Sequence, residues 1–299
     1  MNILVTGSTG LVGAALVARL TASGHRVLPL RRGAVGSAFE AGWNPEAGQV
    51  HFPSTPIGAV VHLAGENIAQ RWTPAAKARI RSSRVDATRL LSEALVKLPQ
   101  PPRVLVCASA TGYYGDRGDE VLSEQSGPGT GFLAEVCQAW EQAAEPARRC
   151  GIRVVHLRLG VVLACHGGAL GKMLPAFRLG LGGRLGTGQQ YLSWIALEDL
   201  LRVIQQELAE SNLSGAVNAV SPAPVTNAEF TCALARAVRR PALLPMPAMA
   251  VRLLFGEMGR EVLLASARVR PGRLIEGRFT FRFPEVGAAL SAALAGHTT

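Results

Sequence analysis

Gly7, Gly10 and Gly13 stand at GxxGxxG spacing, directly after an apolar run over residues 1–6 and at the head of a helical pattern that starts at Leu11. In a strand-turn-helix setting this spacing serves one kind of chemistry. Gly7 permits the tight turn, Gly10 lets the backbone approach a pyrophosphate, Gly13 lets the helix close on the sheet, and the helix N-terminus faces the negative charge. Thr9, Leu11 and Val12 share the turn and are expected to touch the same ligand. A second apolar run, residues 26–30, leads into Arg31 and Arg32, where a reader of ribose hydroxyls carries Asp or Glu. Two guanidiniums at that place match a ribose 2′-phosphate instead, so the expected cofactor is NADP (NADPH) rather than NAD.

Such a site needs a sheet edge to stand on. Further short apolar runs occupy residues 59–63, 104–108 and 152–157, separated by helical stretches over 74–98 and 132–150. Alternation of this kind predicts an α/β chain with a Rossmann-type, doubly wound parallel sheet covered on both faces. Beyond residue 160 the regularity fades into Gly-rich segments (167–171, 179–188) and a Pro-punctuated stretch (221–247), expected to form the substrate side.

Four segments resemble the extended short-chain dehydrogenase/reductase superfamily: the glycine motif, His62-Leu63-Ala64-Gly65, the segment SATGYYG over 109–115, and Trp194-Ile195 with Asp199. A narrower resemblance, to the atypical group called epimerase family proteins and described as NAD(P)-dependent nucleoside-sugar epimerases, spans almost the whole chain. It is carried by Leu63 through Ile68 (LAGENI), Ser83-Arg84, Trp140-Glu141, Arg158 through Leu163 (RLGVVL), Gly186-Thr187-Gly188-Gln189, Thr226 through Phe230 (TNAEF) and Phe255-Gly256-Glu257-Met258. The resemblance implies that Leu63, Ala64, Gly65, Arg84 and Val161 lie at the cofactor. It also implies an epimerase-like Rossmann domain over residues 1–240, with substrate-side insertions, and a short C-terminal domain of unassigned function over 241–299.

Superfamily oxidoreductases use a Tyr-x-x-x-Lys pair with a Ser or Thr; the lysine and the nicotinamide charge favour the phenolate that exchanges a proton with substrate. Here the corresponding stretch reads Gly131 through Cys137 (GFLAEVC). Phe132 and Val136, or Leu133 and Cys137 one residue on, supply neither phenol nor ammonium. Ser109, Tyr113 and Tyr114 are the remaining catalytic candidates, in a chain with three tyrosines, and Arg79, Arg81 or Arg84 would take the place of the lysine. Glu66, Asn67, Gln189 and Arg184 are weaker candidates for substrate contact, and the loop over 179–188 for closing over substrate. Trp194 reads more readily as core. The expected function is an NADP-dependent oxidoreductase or epimerase-like enzyme acting on a small polar or nucleotide-sugar molecule. The alternative, a non-catalytic NADP-binding or redox-sensing protein, stays open because the dyad is missing.

Composition excludes other classes. Hydrophobic residues make up 48% and charged residues 17%, too apolar for a disordered chain. The net charge of +10 invites a nucleic-acid partner, yet there is no basic run longer than two residues and no basic arm, so none is expected. The excess is concentrated in residues 151–299, where 16 basic and 9 acidic residues give +7 and suit an anionic substrate. The five cysteines (Cys107, Cys137, Cys150, Cys165, Cys232) read as reduced core thiols. No histidine pattern predicts a metal. With no charged leader and no apolar stretch of ~18 residues, a cytoplasmic chain without a membrane partner is expected.

Overall fold

The computed structural model describes residues 1–33, 41–209 and 212–296. In chain order the strands are β1 (Asn2–Thr6), β2 (Arg26–Arg32), β3 (Gly42–Asn44), β4 (Gln49–His51), β5 (Ala59–His62), β6 (Val104–Ala110), β7 (Val121–Leu122), β8 (Arg153–Leu159), β9 (Val161–Leu163), β10 (Tyr191–Leu192), β11 (Trp194–Ala196), β12 (Gly215–Ala219), β13 (Val225–Thr226) and β14 (Arg268–Val269). The α-helices are α1 (Leu11–Ala22), α2 (Pro74–Ser82), α3 (Val85–Val96), α4 (Phe132–Gln142), α5 (Glu145–Arg149), α6 (Gly168–Arg178), α7 (Leu197–Leu208), α8 (Asn227–Val238), α9 (Ala248–Met258), α10 (Gly272–Glu276) and α11 (Val286–Ala295).

One eight-stranded sheet runs β12-β8-β6-β5-β1-β2-β3-β4, parallel throughout except for the β3–β4 hairpin. The Rossmann-type fold is as expected. Its central strands are Val/Leu/Ile runs buried on both faces, which only helices on both sides can cover. Ile3, Val61, Val106 and Leu157 pack on one side with α1 and α7; Leu4, Val60 and Leu105 pack on the other with Leu91 and Leu95 of α3. Strand order reverses between β1 and β5, so the crevice at their carboxyl ends is where this architecture holds a ligand.

Two expected helices are each broken. Within 74–98 the Ser83 hydroxyl donates to the Ile80 carbonyl (3.2 Å) and accepts from the Glu66 N–H (2.9 Å), separating α2 from α3. Within 132–150, Pro146 has no N–H to continue the ladder, and α5 starts afresh there. The irregularity expected beyond residue 160 is overstated: α6, α7 and α8 are regular helices and β12 completes the sheet. The reading of all five cysteines as core thiols is also corrected. Cys107 and Cys137 are buried, Cys165 is half-buried, and Cys150 and Cys232 are exposed; all five are free thiols.

Candidate active site

The glycine turn leaves no room for side chains. Gly7 sits at φ +66°, where a Cβ would come within 2.8 Å of the Leu63 carbonyl carbon, and a Cβ on Gly13 would come within 2.0 Å of the Gly7 oxygen. The Gly10 N–H donates to that oxygen (3.0 Å) and closes the turn. No side chain caps α1 and no acid occupies its first turn, so among the described residues no cap or first-turn carboxylate competes for the leading N–H groups of Leu11, Val12 and Gly13. Thr9 and Gly10 are exposed at the mouth of the turn. A cradle that one added methyl would fill fits a pyrophosphate pressed against backbone.

Across the crevice, Leu63 and Ala64 are pinned by Thr6 of β1, which is held in turn by a chain through His62 of β5, Thr88 of α3 and Trp140 of α4. Thr6 Oγ1 accepts from the N–H groups of Leu63 and Ala64 (both 3.1 Å), so its own proton goes to His62 Nδ1 (2.7 Å). His62 then carries its proton on Nε2 and donates to Thr88 Oγ1 (2.9 Å), which also accepts from Trp140 Nε1 (2.9 Å). Burial pushes the His62 pKa down to about 4, so the ring is neutral at physiological pH. Under Gly65 lies the Arg84 guanidinium, which donates to the Ile80 carbonyl (3.2 Å) and faces the Trp140 ring at 5.2 Å. Burial lowers its pKa, partly offset by Cys137 and Glu66.

A cleft of about 390 Å³ opens beyond β2, lined by Arg32, Trp43, Glu46, Glu66, Arg79, Ser82, Ser83 and Asp86 among others. Arg31 and Arg32 alternate across the strand, and of the two only Arg32 lines the cleft. Arg32 has no carboxylate partner among the described residues, whereas Arg79 approaches Glu66 at 3.8 Å. Ser82 escapes motif reading because it sits on α2, opposite the β2 terminus rather than near it in sequence; Ser83 enters the sequence reading only as part of the Ser83-Arg84 segment, and Arg79 only as a substitute for the lysine.

The tyrosine segment lies over a polar row that crosses the sheet. Ser109, Arg158 and Asn218 are in register on β6, β8 and β12. Arg158, buried, makes a bidentate pair with Glu141 of α4 (2.8 and 2.8 Å) and donates to the Tyr114 hydroxyl (3.0 Å). Ser109 Oγ donates to Glu141 Oε1 (2.7 Å). The Tyr114 hydroxyl points at Asn218 Oδ1 (2.7 Å) and the Ser123 carbonyl (3.0 Å). Burial opposes the Arg158 cation, but the hydrogen bonds and charge of Glu141 outweigh it and lift its pKa. Burial raises the Tyr114 phenol, against the pull of Arg158.

The two tyrosines therefore differ. Tyr114 is fully buried with its hydroxyl engaged on three sides; Tyr113 is half-buried, its ring stacked 3.4 Å from the Arg158 guanidinium carbon, and no hydrogen bond to its hydroxyl is present among the described residues. Arg158 is thus the cation beside the tyrosines, where Arg79, Arg81 and Arg84 were expected; Arg84 serves Gly65, and Arg79 the cleft. Only its place in the RLGVVL segment singles Arg158 out in the sequence.

The C-terminal segment closes this region. Glu261 accepts from the Phe132 and Leu133 N–H groups (3.3 and 3.1 Å), capping α4 where Gly131 has no side chain to do so. Lys77 pairs with Glu257 (2.9 Å) and lies 4.5 Å from the centre of the Phe132 ring, which meets Trp72 edge-on. Trp194, Asp199 and Asn67 serve the scaffold. Trp194 is core, and Asp199 holds the chain at Arg282 and Phe283 through their N–H groups (2.7 and 2.9 Å). Asn67 is a turn residue, bonded to the Ala69 N–H. Val161 follows β8 at the sheet edge and pairs with Trp194 of β11.

The pattern of this crevice is that of a known family: residues 3–219 match the NAD dependent epimerase/dehydratase family. The chain belongs to the NAD dependent epimerase/dehydratase family. Within this epimerase/dehydratase family it is similar to Epimerase family protein Mb2239 of Mycobacterium bovis, 48% identical over 97% of each chain. It is also similar to the crystal structure of human epimerase family protein SDR39U1 (isoform 2) with NADPH, with 35% identity, 99% of both chains covered and a TM-score of 0.90. A UDP-N-acetylglucosamine 4-epimerase from Bacillus cereus shares the fold at 17% identity and a TM-score of 0.75, covering all of both chains. Residues 246–293 match a domain of unknown function, which here supplies Glu257 and Glu261.

Proposed function

We propose that this epimerase-family chain is an NADP(H)-dependent oxidoreductase or epimerase-like enzyme acting on a small polar or nucleotide-sugar substrate. The observation that carries the coenzyme reading is Arg32, a cation without a carboxylate partner among the described residues, lining a cleft at the strand end where an NAD reader presents an acid. NADPH in the crystal structure of human SDR39U1 supports it. Bound there, the cofactor supplies hydride chemistry. The glycine turn would hold its pyrophosphate, Leu63 through Gly65 would pass beside it, and Arg32 with Ser82 or Ser83 would hold the 2′-phosphate. Fluorescence titration is expected to show NADPH binding at least tenfold tighter than NADH, and Arg32→Asp is expected to remove that difference. Tighter NADH binding by the unaltered protein would refute the assignment.

On the substrate side, Tyr113 is the group suited to exchange a proton: half-exposed, with its ring braced by Arg158 and its oxygen uncommitted among the described residues. Ser109 is already committed to Glu141 and acts through that carboxylate. With a substrate found by screening carbonyl compounds and nucleotide sugars, Tyr113→Phe is expected to lower kcat about 100-fold or more with NADPH affinity unchanged. Tyr114→Phe is expected to cost about 1–3 kcal/mol of stability while retaining turnover, because it strips partners from Asn218 and Arg158. One observation favours the second reading, of a non-catalytic NADP-binding or redox-sensing protein: the dyad positions hold Phe132 and Val136, with Phe132 packed under Lys77. Tight NADPH binding without turnover on any screened substrate, and no effect of Tyr113→Phe, would decide for that reading.

A further inference from the structure

Two segments far apart in sequence form one surface. The glycine-rich loop after α6 is zipped to the chain leading into α9: Leu244 N–H donates to the Gly182 carbonyl (3.2 Å), Met246 N–H to Arg184 (2.9 Å), and Gly186 N–H to Met246 (2.8 Å). Gly183 permits the approach, since a Cβ there would lie 1.9 Å from the Leu244 oxygen. The Leu185 N–H is held by Asn227 Oδ1 (2.8 Å). The loop is therefore pinned rather than poised to close.

Its outer side carries an uncommon load. Leu179, Leu181, Leu243, Leu244, Met249, Leu253 and Leu254 are each more than half exposed, Met249 and Leu253 at about 80%, and they account for seven of the ten large exposed apolar side chains among the described residues. Met249 and Leu253 are one turn apart on α9, whose opposite side buries Val251. Exposed apolar side chains concentrated on two hydrogen-bonded segments mark an interaction site. The same two segments, residues 178–190 and 239–256, contain Arg178, Arg184, Arg239, Arg240 and Arg252 and no Asp or Glu. All five arginines are exposed, and none has an ion pair or hydrogen bond from its side chain among the described residues. The nearest acid in sequence, Glu257, is taken by Lys77.

We propose that this surface docks the protein on an anionic phospholipid bilayer, with the Leu and Met side chains entering the headgroup–acyl boundary and the arginines meeting the phosphates. An occupant must meet exposed apolar side chains and unpaired cations from the same segments, and an anionic bilayer offers both an apolar interior and negative headgroups. A second copy of the chain joined through the same face would set ten unpaired guanidiniums against one another. The expectation of no membrane partner came from the lack of a spanning stretch, and among the described residues no helix is long and apolar enough to cross a membrane. Lying on a bilayer requires no span. Part of the +7 charge of the second half thereby faces a lipid surface rather than a soluble anion.

The test is flotation of the full chain with vesicles of phosphatidylcholine and of an equimolar phosphatidylglycerol–phosphatidylcholine mixture. Binding is expected to the anionic vesicles alone and to weaken with salt. Met249→Ser/Leu253→Ser is expected to weaken it about tenfold or more, as is Arg178→Glu/Arg252→Glu. Arg26→Glu/Arg89→Glu, the same change in net charge on β2 and α3, is expected to bind as the unaltered protein does. Circular dichroism melting checks that each variant folds. No binding to the anionic vesicles overturns the proposal. So does an equal loss in the Arg26/Arg89 variant, which would reduce the effect to net charge, or a concentration-dependent dimer that Met249→Ser/Leu253→Ser dissolves while vesicles bind nothing.

Discussion

Gly13→Ala is expected to weaken NADPH binding about 100-fold or more and to cost about 1–3 kcal/mol of stability. The added methyl would stand 2.0 Å from the Gly7 oxygen and 3.0 Å from the Ser8 Cα, and both are backbone atoms that cannot rotate away. Relief requires the first turn of α1 to move off the end of β1. That displaces the N–H groups of Leu11 and Val12 from the turn and opens the contact that lets helix and sheet close at Leu16, which is fully buried. Gly24→Ala separates this effect from a general glycine effect. Gly24 lies at φ +77°, with nothing within 4 Å of a new Cβ, so strain costs about 1 kcal/mol there and NADPH binding is expected to stay unchanged. Isothermal titration with NADPH and urea unfolding of both variants check the pair. Binding by Gly13→Ala within threefold of the unaltered protein would mean that the turn is not the pyrophosphate cradle.

The contrast between Gly13 and Arg158 shows which parts of the site are legible in sequence. The glycine motif is local: seven residues and the apolar run before them state a strand, a turn and a helix, and the geometry follows from Cβ sterics. The parallel sheet is legible for the same reason, since runs such as VLVCASA on β6 allow no polar face. Helix boundaries inside 74–98 and 132–150 are less so, because the break at Ser83 depends on the Glu66 N–H, 17 residues away, and only Pro146 announces itself. Helix α7 is amphipathic, with Glu198 and Asp199 in its first turn, so its signal is present in the sequence despite the irregular surroundings. The polar row has no local signature at all. Ser109, Arg158 and Asn218 meet because three strands separated by whole helices pair in one register, and register is a property of the assembled sheet. Likewise Glu261 reaches the α4 N-terminus from 128 residues away to Leu133, filling a cap that Gly131 leaves without a side chain.

Arg158→Met is expected to destabilise the fold by about 3–5 kcal/mol, measured by urea unfolding at neutral pH. The Arg158 side chain is 5% exposed and that of Glu141 14%, so the pair is held largely away from water. Removing the cation strips two short hydrogen bonds from Glu141 and one from the Tyr114 hydroxyl, and leaves a carboxylate whose remaining hydrogen-bond partner among the described residues is the Ser109 hydroxyl at 2.7 Å. Methionine fills much of the space, so the loss reports the stranded charge rather than a cavity. The double variant Arg158→Met/Glu141→Leu removes that charge as well and is expected to recover about half or more of the loss, since replacing both partners of a buried pair by apolar groups is far cheaper than replacing one. The same variants separate scaffold from chemistry. If Arg158 braces Tyr113 for proton exchange, the double variant regains stability and stays slow, with kcat close to that of Tyr113→Phe. If the row only holds β6, β8 and β12 to α4, turnover returns together with stability.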